Sequence, residues 1–297
     1  MQITVRGRIG PASRRHGQEG RLASTFRRLL QNRGATIGLA VLSFLVVIAV
    51  LAPQLAPYDP VDMVPDDRFL LPSGAHPLGT DQFGRDLLSR IMHGARISLT
   101  VGLISVGIAA VIGVVLGLLA GYYSGWLDAV IMRSIDVMMA FPGILLALVI
   151  VAVLGAGITN VMIAVGISSV PTYARLTRGC VLSAKEFLYV DAARTLGCRD
   201  RRILFRHILP NVLAPLIVVS TLGVAGAILS SAALSFLGLG AQPPSPEWGA
   251  MLSGGRAYLR DSWWIATFPG LAIMLAVLSI NMLGDGLRDA LDPRMKV

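Results

Sequence analysis

Long uninterrupted runs of apolar residues dominate this sequence and limit the folds open to it. Hydrophobic residues make up 54% of its 297 positions and charged residues only 14%, whereas roughly 25% of an ordinary soluble domain is charged. A helix needs about 20 mostly apolar residues to cross a bilayer. Runs that approach this length lie at about 35–55, 99–120, 137–154, 158–174, 212–233 and 267–283. The sequence therefore predicts an all-α, polytopic membrane protein with six transmembrane helices.

The positive charges indicate how these six helices are oriented. With the N-terminus inside the cell, the inner segments are 1–34, 121–136, 175–211 and 284–297. They contain 20 of the 26 Lys and Arg residues, as expected from the excess of positive charge in cytoplasmic loops. We therefore expect a multi-pass protein of the cell (inner) membrane with both termini in the cytoplasm. The net charge of +9 reflects this orientation rather than binding to nucleic acid.

The chain divides into a tail and a membrane domain. Residues 1–34 carry eight arginines and one glutamate, which predicts a cytoplasmic basic tail ahead of a transmembrane domain at 35–297. The first apolar run resembles the apolar part of a secretory signal, but the basic segment before it is long, and a cleavage site at Leu51-Ala52-Pro53 would meet proline. We therefore interpret this run as an uncleaved transmembrane helix.

The outer loop, residues 52–98, changes character along its length. It begins with three closely spaced prolines and carries six aspartates, which predicts an irregular, solvated segment. From Asp86 onward, apolar residues recur at helical spacing with arginines between them, which predicts an amphipathic helix at the outer surface. Asp81 is the residue expected to cap the start of that helix.

A row of small residues marks the second apolar run. Gly113, Gly117 and Gly121 stand four residues apart and fall on one face of a helix. Small residues let helices approach closely in lipid. The pattern is equally consistent with packing inside this chain and with contact to a partner subunit.

The sequence lacks the motifs of catalysis and nucleotide binding. It contains no GxSxG or HExxH motif, and neither Lys185 nor Lys296 follows a glycine-rich phosphate loop. Cys180 and Cys198 lie far from any Cys and His cluster, so they predict neither a disulfide framework nor a metal site. We expect no catalytic residue, no metal and no cofactor bound by this chain.

An ion-coupled carrier is the alternative from a different class of protein. Such carriers hold acidic residues within the membrane, and here only Asp136 lies near membrane depth. We interpret Asp136 either as the partner of Arg133 in a local ion pair at i, i+3 spacing or as an anchor at the membrane interface. The sequence therefore gives this alternative little support.

The long inner loop, residues 175–211, is the most informative segment. Residues 184–196 favour a helix, Gly197 can end it in a left-handed conformation, and Asp200 is a suitable N-cap for a second short helix. The apolar side chains expected at its surface are Leu188, Ala192, Leu196 and Phe205. Docking on a cytoplasmic partner and attraction of the arginines to anionic lipid are both consistent with this pattern.

This inner loop resembles the coupling loop of ABC importer permeases. That pattern reads Glu-Ala-Ala, three residues, Gly, nine residues, Ile, one residue, Leu-Pro. The positions in register are Asp191, Ala192, Ala193, Gly197, Leu209 and Pro210. Asp191 stands where the family has Glu and keeps the charge, whereas His207 occupies the Ile position.

Three further segments resemble the dipeptide, oligopeptide and nickel branch of that family, specifically its C-type permease. They are residues 76–90, 234–249 and 281–294. The resemblance runs from about residue 30 to the end and implies the fold of a type I ABC importer permease. The membrane domain at 35–297 would then be a permease domain, with 52–98 as outer loop and 175–211 as coupling loop.

The resemblance also implies partners and a cargo. The partners would be a homologous B-type permease, two cytoplasmic ATPases that bind ATP and Mg, and an extracytoplasmic substrate-binding protein. The cargo would be di- or oligopeptides, with nickel or glutathione as alternatives. The chain itself would not be an enzyme.

The resemblance assigns roles to particular residues. Those expected to couple the permease to the ATPase are Asp191, Ala192, Ala193, Gly197, Asp200, His207, Leu209 and Pro210. Those expected at the outer face, in contact with the binding protein, are Asp81, Arg85, Asp86 and Trp248. For the tryptophans between the last two spans, Trp248, Trp263 and Trp264, anchoring at the membrane interface is the favoured interpretation.

Overall fold

A computed structural model describes residues 27–291 of the chain. Ten helices make up most of this part. They are α1 (Arg33–Leu55), α2 (Leu87–Tyr123), α3 (Gly125–Met139), α4 (Gly143–Leu154), α5 (Ile158–Ala184), α6 (Leu188–Thr195), α7 (Asp200–Ile203), α8 (Leu209–Phe236), α9 (Trp248–Gly255) and α10 (Trp264–Leu291). Most of the basic tail predicted at 1–34, and the last residues of the segment at 281–294, lie outside the described residues.

The multi-pass helical architecture is confirmed, although the number of six spans is not fully established. Four helices are long and apolar enough to cross a bilayer, namely α1, α2, α10 and the continuous Asp200–Phe236 helix that includes α8. The pair α3 and α4, bent by 91°, would supply a fifth. The fourth predicted span lies in α5, which contains several polar residues. Because α5 packs against α2, α4 and α8, much of its surface contacts protein rather than lipid.

The prediction that residues 137–154 form a single transmembrane helix is wrong. Helix α3 ends at Met139, and α4 begins only after a turn at Phe141 and Pro142. Proline disfavours helical geometry at the preceding residue and has no backbone N–H to donate, so the helix breaks there. Residues 125–136, expected in an inner loop, instead belong to α3.

The prediction of a separate amphipathic helix after Asp86 is also wrong. Those residues form the first turns of α2, which continues without a break to Tyr123. The cap is Asp86 rather than Asp81, because an Asp86 carboxylate oxygen accepts the Ser89 backbone N–H at 2.8 Å. Arg90 in the second turn is buried, so this end of α2 packs inside the protein rather than on a membrane surface.

The glycine face of α2 packs inside the chain, against α5. A Cβ placed on Gly117 would lie 2.5 Å from the carbonyl oxygen of Ala174, and one on Gly113 would lie 2.5 Å from the Tyr173 side chain. A Cβ on Gly121 would lie 2.8 Å from Val181. The three glycines therefore allow the backbones of α2 and α5 to approach closely, which decides between the two interpretations of this row.

Helix α2 takes part in two apolar cores. One core joins its second half to α4, α5, α8 and the inner loop, and includes Leu118 and Val181. The other joins its first half to α1, α9 and α10, and includes Leu87 and Trp248. Since a residue in an α-helix rises about 1.5 Å, the 37 residues of α2 span roughly 55 Å. Asp81, Arg85 and Asp86 lie at the start of this helix, and the loop at 175–211 packs near its end.

Candidate functional site

The coupling loop, residues 175–211, exposes an apolar surface. In α6, Val190 and Ala193 are buried, whereas Leu188 is 86% and Leu196 82% exposed, and Phe205 on the following segment is 57% exposed. Ala192 is exposed as well, so the exposure predicted for these four side chains is confirmed. Several large apolar side chains exposed on one loop indicate a surface that another molecule covers.

A glycine bend shapes this surface. Gly197 has a φ of +73°, the left-handed conformation predicted for it. The Gly197 N–H donates to the carbonyl of Arg194 at 2.9 Å, and the Cys198 N–H donates to that of Ala193 at 3.1 Å. This pair of bonds is the Schellman motif that ends many helices. A Cβ on Gly197 would meet nothing within 4 Å, so the backbone conformation alone favours glycine.

The segment after the bend leads into α8 through a wide turn. Residues Leu204–Ile208 form one turn of π-helix, which ends where the Leu209 N–H donates to the carbonyl of Leu204. Pro210 has no N–H, and its ring would collide with the carbonyl four residues earlier in a regular helix. The wider turn accommodates it. His207, Leu209 and Pro210 thus lie where the coupling loop becomes a membrane helix.

Asp200 has a different contact from the one predicted. The N-cap of α7 is Arg199, and Asp200 is the first residue inside the helix. An Asp200 carboxylate oxygen accepts a hydrogen bond from the Tyr122 hydroxyl at 2.6 Å. The N-cap prediction was wrong because it considered only the neighbours in sequence, whereas the tyrosine that Asp200 contacts is 78 positions away.

The carboxylate of Asp191 faces solvent. Its side chain is 62% exposed, and the nearest cation, the Arg194 guanidinium, lies 3.7 Å away with 47% exposure. Exposed ion pairs of this kind contribute little to stability, about 0–1 kcal/mol. Asp191 is therefore not held by the fold and is accessible to another protein.

The acid near membrane depth, Asp136, pairs with a different arginine from the one predicted. Its partner is Arg175 on α5 at 2.6 Å, not Arg133 on its own helix, and both side chains are about half exposed. A second pair lies alongside, because Arg178 donates two hydrogen bonds to Asp128, at 2.6 and 2.7 Å. These pairs connect α5 to α3.

The residues predicted to contact a binding protein are buried at the other end of α2. Asp81 is 3% exposed, Arg85 5%, Asp86 2% and Trp248 fully buried. Asp81 accepts from the Arg85 Nε at 2.7 Å, and the Arg90 Nε lies 3.7 Å from the same oxygen. In this arrangement the four side chains cannot touch another protein directly. They support the loop that forms the surface around them.

A second buried pair fastens the same loop. The His76 ring nitrogen and the Asp86 carboxylate lie 3.0 Å apart, and the Ser89 hydroxyl donates to the other Asp86 oxygen at 2.7 Å. The ring of Tyr58 stacks on His76, with centroids 4.7 Å apart. The loop before α2 is therefore tied to the first turn of that helix.

Two of the three tryptophans are packing residues rather than interface anchors. The Trp248 indole N–H donates to the carbonyl of Ile91 at 3.0 Å, and that of Trp264 donates to the carbonyl of Thr80 at 3.1 Å. Only Trp263, at 50% exposure, is placed as an anchor requires. In the structure a Cβ on Gly94 would lie 2.7 Å from Trp248, so the glycine leaves the space that the indole ring occupies.

Glu247 is a buried acid that sequence reasoning did not single out by itself. It is 1% exposed, and its carboxylate accepts the Ala250 backbone N–H at 2.8 Å, which caps α9. Burial raises the pKa of this carboxyl above its usual value, and hydrogen bonds to the charged form oppose that shift. No group of three or more potential metal ligands occurs within residues 27–291.

Long apolar helices joined by exposed, charged segments define the class as a multi-pass membrane protein. Residues 113–297 match the family described as binding-protein-dependent transport system inner membrane component. Residues 20–72 match the N-terminal transmembrane domain of oligopeptide transport permease C. The chain belongs to this family of ABC importer permeases, in its dipeptide and oligopeptide C-type branch.

Curated relatives are similar in sequence to this chain over most of its length. The dipeptide transport system permease protein DppC of Alkalihalophilus pseudofirmus is 50% identical over 271 residues, which is 91% of this chain and 89% of the relative. The di/tripeptide permease DppC of Pseudomonas aeruginosa is 48% identical, covering 93% of both chains. The glutathione permease GsiD of Pectobacterium atrosepticum is 51% identical, covering 91% and 90%.

The fold matches a solved transporter. An inward-facing form of the MetNI methionine ABC transporter aligns with a TM-score of 0.57 at 18% identity, over 69% of this chain and 98% of the other. At this identity the match concerns the fold alone. It agrees with the prediction of an ABC importer permease architecture.

Proposed function

We propose that this chain is one of two permease subunits of an ABC importer that carries di- and oligopeptides across the cell membrane. Relatives with about half of their residues identical are named for dipeptides, di/tripeptides and glutathione. Glutathione is itself a tripeptide, so these names share one chemical class of cargo. They favour short peptides over a nickel ion.

The observation that carries the coupling role is the exposed apolar surface around the Gly197 bend. Leu188, Leu196 and Phe205 point away from the core, and covering them with a protein groove would remove their surface from water. The opposite side of the loop packs into the core with α2 and α5. A loop held in this way transmits a push as a rigid body. In this proposal an ATPase provides the groove and binds ATP and Mg.

The orientation follows from the charge distribution. The coupling loop and both termini would face the cytoplasm, because the segments on that side carry most of the Lys and Arg residues. The loop before α2 would then face outward, toward the substrate-binding protein. Its exposed apolar side chains, among them Leu71 at 64% and Phe83 at 41%, are the surface proposed for that contact.

A matched pair of glycine variants tests the coupling role. Gly197 and Gly238 have φ values of +73° and +83°, both end a helix in the same motif, and a Cβ on either would meet nothing within 4 Å. Replacing either by Val imposes a similar backbone strain, about 1–3 kcal/mol. Gly238 lies at the far end of α8, roughly 40 Å from the coupling loop. Only Gly197→Val should weaken peptide-stimulated ATP hydrolysis by the assembled importer.

Asp191→Ala complements this pair, because it removes an exposed carboxylate without disturbing the fold. We expect it to reduce peptide-stimulated hydrolysis while the amount of co-purified ATPase changes little. Equal effects of Gly197→Val and Gly238→Val would contradict a coupling role for the bend. Uptake that stops when ion gradients collapse, with ATP still present, would support an ion-coupled carrier instead.

A further inference from the structure

One tyrosine at the end of α2 contacts both segments of the coupling loop. The Tyr122 hydroxyl donates to Asp200, after the bend, at 2.6 Å. The guanidinium carbon of Arg194, before the bend, lies 5.7 Å from the centre of the same ring. Tyr122 itself is 8% exposed, whereas Asp200 and Arg194 are exposed, so both contacts lie at the edge of the buried core. The tyrosine therefore holds the two sides of Gly197 in a fixed relation to α2.

These contacts differ in kind from most of the interface. The inner side of the loop packs mainly through apolar residues such as Val190, Ile203 and Ile208, and apolar contact has no preferred direction. The Lys185 ammonium also donates to the Gly121 carbonyl at 3.3 Å and to the Ser124 hydroxyl at 2.9 Å, but Lys185 lies before α6 and does not contact the segment after the bend. A hydrogen bond to a carboxylate is short, strong and directional. Among the described residues, the Tyr122–Asp200 bond is the side-chain hydrogen bond that joins α2 to α7.

The position of Tyr122 connects this bond to the whole length of α2. It lies in the last turn of the continuous α2, whose first turn belongs to the buried His76, Asp86 and Ser89 cluster. Helix α2 is unbroken and contains no proline, the residue at which helices most often kink, so it can move as one body. A displacement of Asp200 that pulls on Tyr122 thus reaches the opposite end of the membrane domain.

From this geometry we propose that Tyr122 is a positioning residue for coupling: its hydrogen bond to Asp200 makes α2 follow the coupling loop when the ATPase moves. The inference rests on the proposed importer function. It assigns the transmission of movement to one hydroxyl group at the junction, separate from the exposed surface on which the ATPase would dock.

The test compares Tyr122→Phe, Asp200→Ala and the double variant in the full importer, reconstituted in vesicles with its binding protein and a labelled dipeptide mixture. Tyr122→Phe removes the hydroxyl and keeps the ring under Arg194. The matched control is Tyr123→Phe, since Tyr123 is the next residue in the chain and is half exposed. The measurement is ATP hydrolysed per dipeptide taken up, together with the amount of ATPase that co-purifies.

We expect Tyr122→Phe to assemble normally, to keep hydrolysing ATP, and to use at least fivefold more ATP per dipeptide than wild type. Asp200→Ala should behave in the same way, and the double variant should be no worse than either single one, because all three lack the same bond. A ratio within twofold of wild type for Tyr122→Phe would overturn the proposal. So would additive effects, or loss of the ATPase from the complex.

A second measurement separates this inference from the choice of cargo. A spin label at Thr100→Cys, on the exposed side of α2, and one on the partner permease report the ATP-dependent distance change without any peptide. We expect a change in wild type that Tyr122→Phe reduces. An unchanged response in the variant would overturn the inference. Absence of dipeptide uptake by the wild type, with this response intact, would refute only the proposed cargo.

Discussion

At the scale of single residues, charged side chains that look solvated in the sequence are central to the fold. Asp81, Arg85, Asp86 and Arg90 follow a proline-rich loop, and their spacing predicted an exposed surface. The structure buries all four. Charged groups are rarely buried unless they are paired, and here the partners lie within a few positions of one another. The predicted exposure is wrong, and no pairing among these residues was predicted.

The Asp81 carboxylate should be important for stability. Asp81→Asn would leave Arg85 and Arg90 buried without their shared negative partner, which we expect to cost about 3–5 kcal/mol of unfolding free energy. The matched control is Asp66→Asn in the same loop, where the side chain is exposed and the change should stay within about 0.5 kcal/mol. Unfolding of the detergent-purified subunit by denaturant measures both. Similar losses for the two variants would contradict this role.

At the scale of elements, α2 and α5 organise the molecule. Their backbones approach along the face of Gly113, Gly117 and Gly121, and α2 then extends to Tyr122 beneath the coupling loop. The spacing of the glycines predicted a close approach, because residues four apart share a helix face. It did not identify the neighbouring helix, which depends on how the chain returns through α3 and α4.

A pair of alanine substitutions on α2 tests this packing. In Gly117→Ala the new methyl group would lie 2.5 Å from the backbone oxygen of Ala174, so α2 and α5 must separate. We expect a loss of about 1–3 kcal/mol in unfolding free energy. Gly107→Ala is the control, because a Cβ there would meet nothing within 4 Å. It should be neutral or stabilising by up to about 1 kcal/mol, and destabilisation of both variants alike would contradict the packing role.

At the scale of the whole molecule, much apolar surface stays exposed on the single chain. Val50, Val111 and Val153 are 66%, 68% and 82% exposed. In water such a surface would drive aggregation, but lipid tails or a partner permease can cover it. The membrane therefore acts as the solvent for which this surface is suited, and the charged loops lie at the two ends of the helices.

Thiol labelling in intact vesicles tests the proposed orientation. In a background with Cys180→Ser and Cys198→Ser, single cysteines would be placed at Gly74 in the loop before α2 and at Arg199 in the coupling loop, both exposed. A membrane-impermeant reagent outside right-side-out vesicles should label Gly74→Cys only. Arg199→Cys should react only after the vesicles are opened. Labelling of both from the same side would contradict the topology.

Much of the coupling loop was predictable because its signals are local. Gly197 favours a left-handed bend whatever surrounds it, and Leu188, Leu196 and Phe205 remain exposed because they lie outside the core that Val190 and Ala193 join. Contacts between distant positions were not predictable in this way. Asp136 pairs with Arg175 39 positions away, and Asp200 with Tyr122 78 positions away, so reasoning from neighbouring residues chose the wrong partners.

The sequence by itself determined the class of protein. Runs of apolar residues long enough to cross a bilayer, positive charges between them and a glycine bend in one inner loop are properties that no packing arrangement can remove. Tertiary structure decided which charges are buried, which helix breaks at Pro142 and which tyrosine contacts Asp200. These outcomes depend on which segments meet in space, and the free energy of burying a group depends on the partner it finds there.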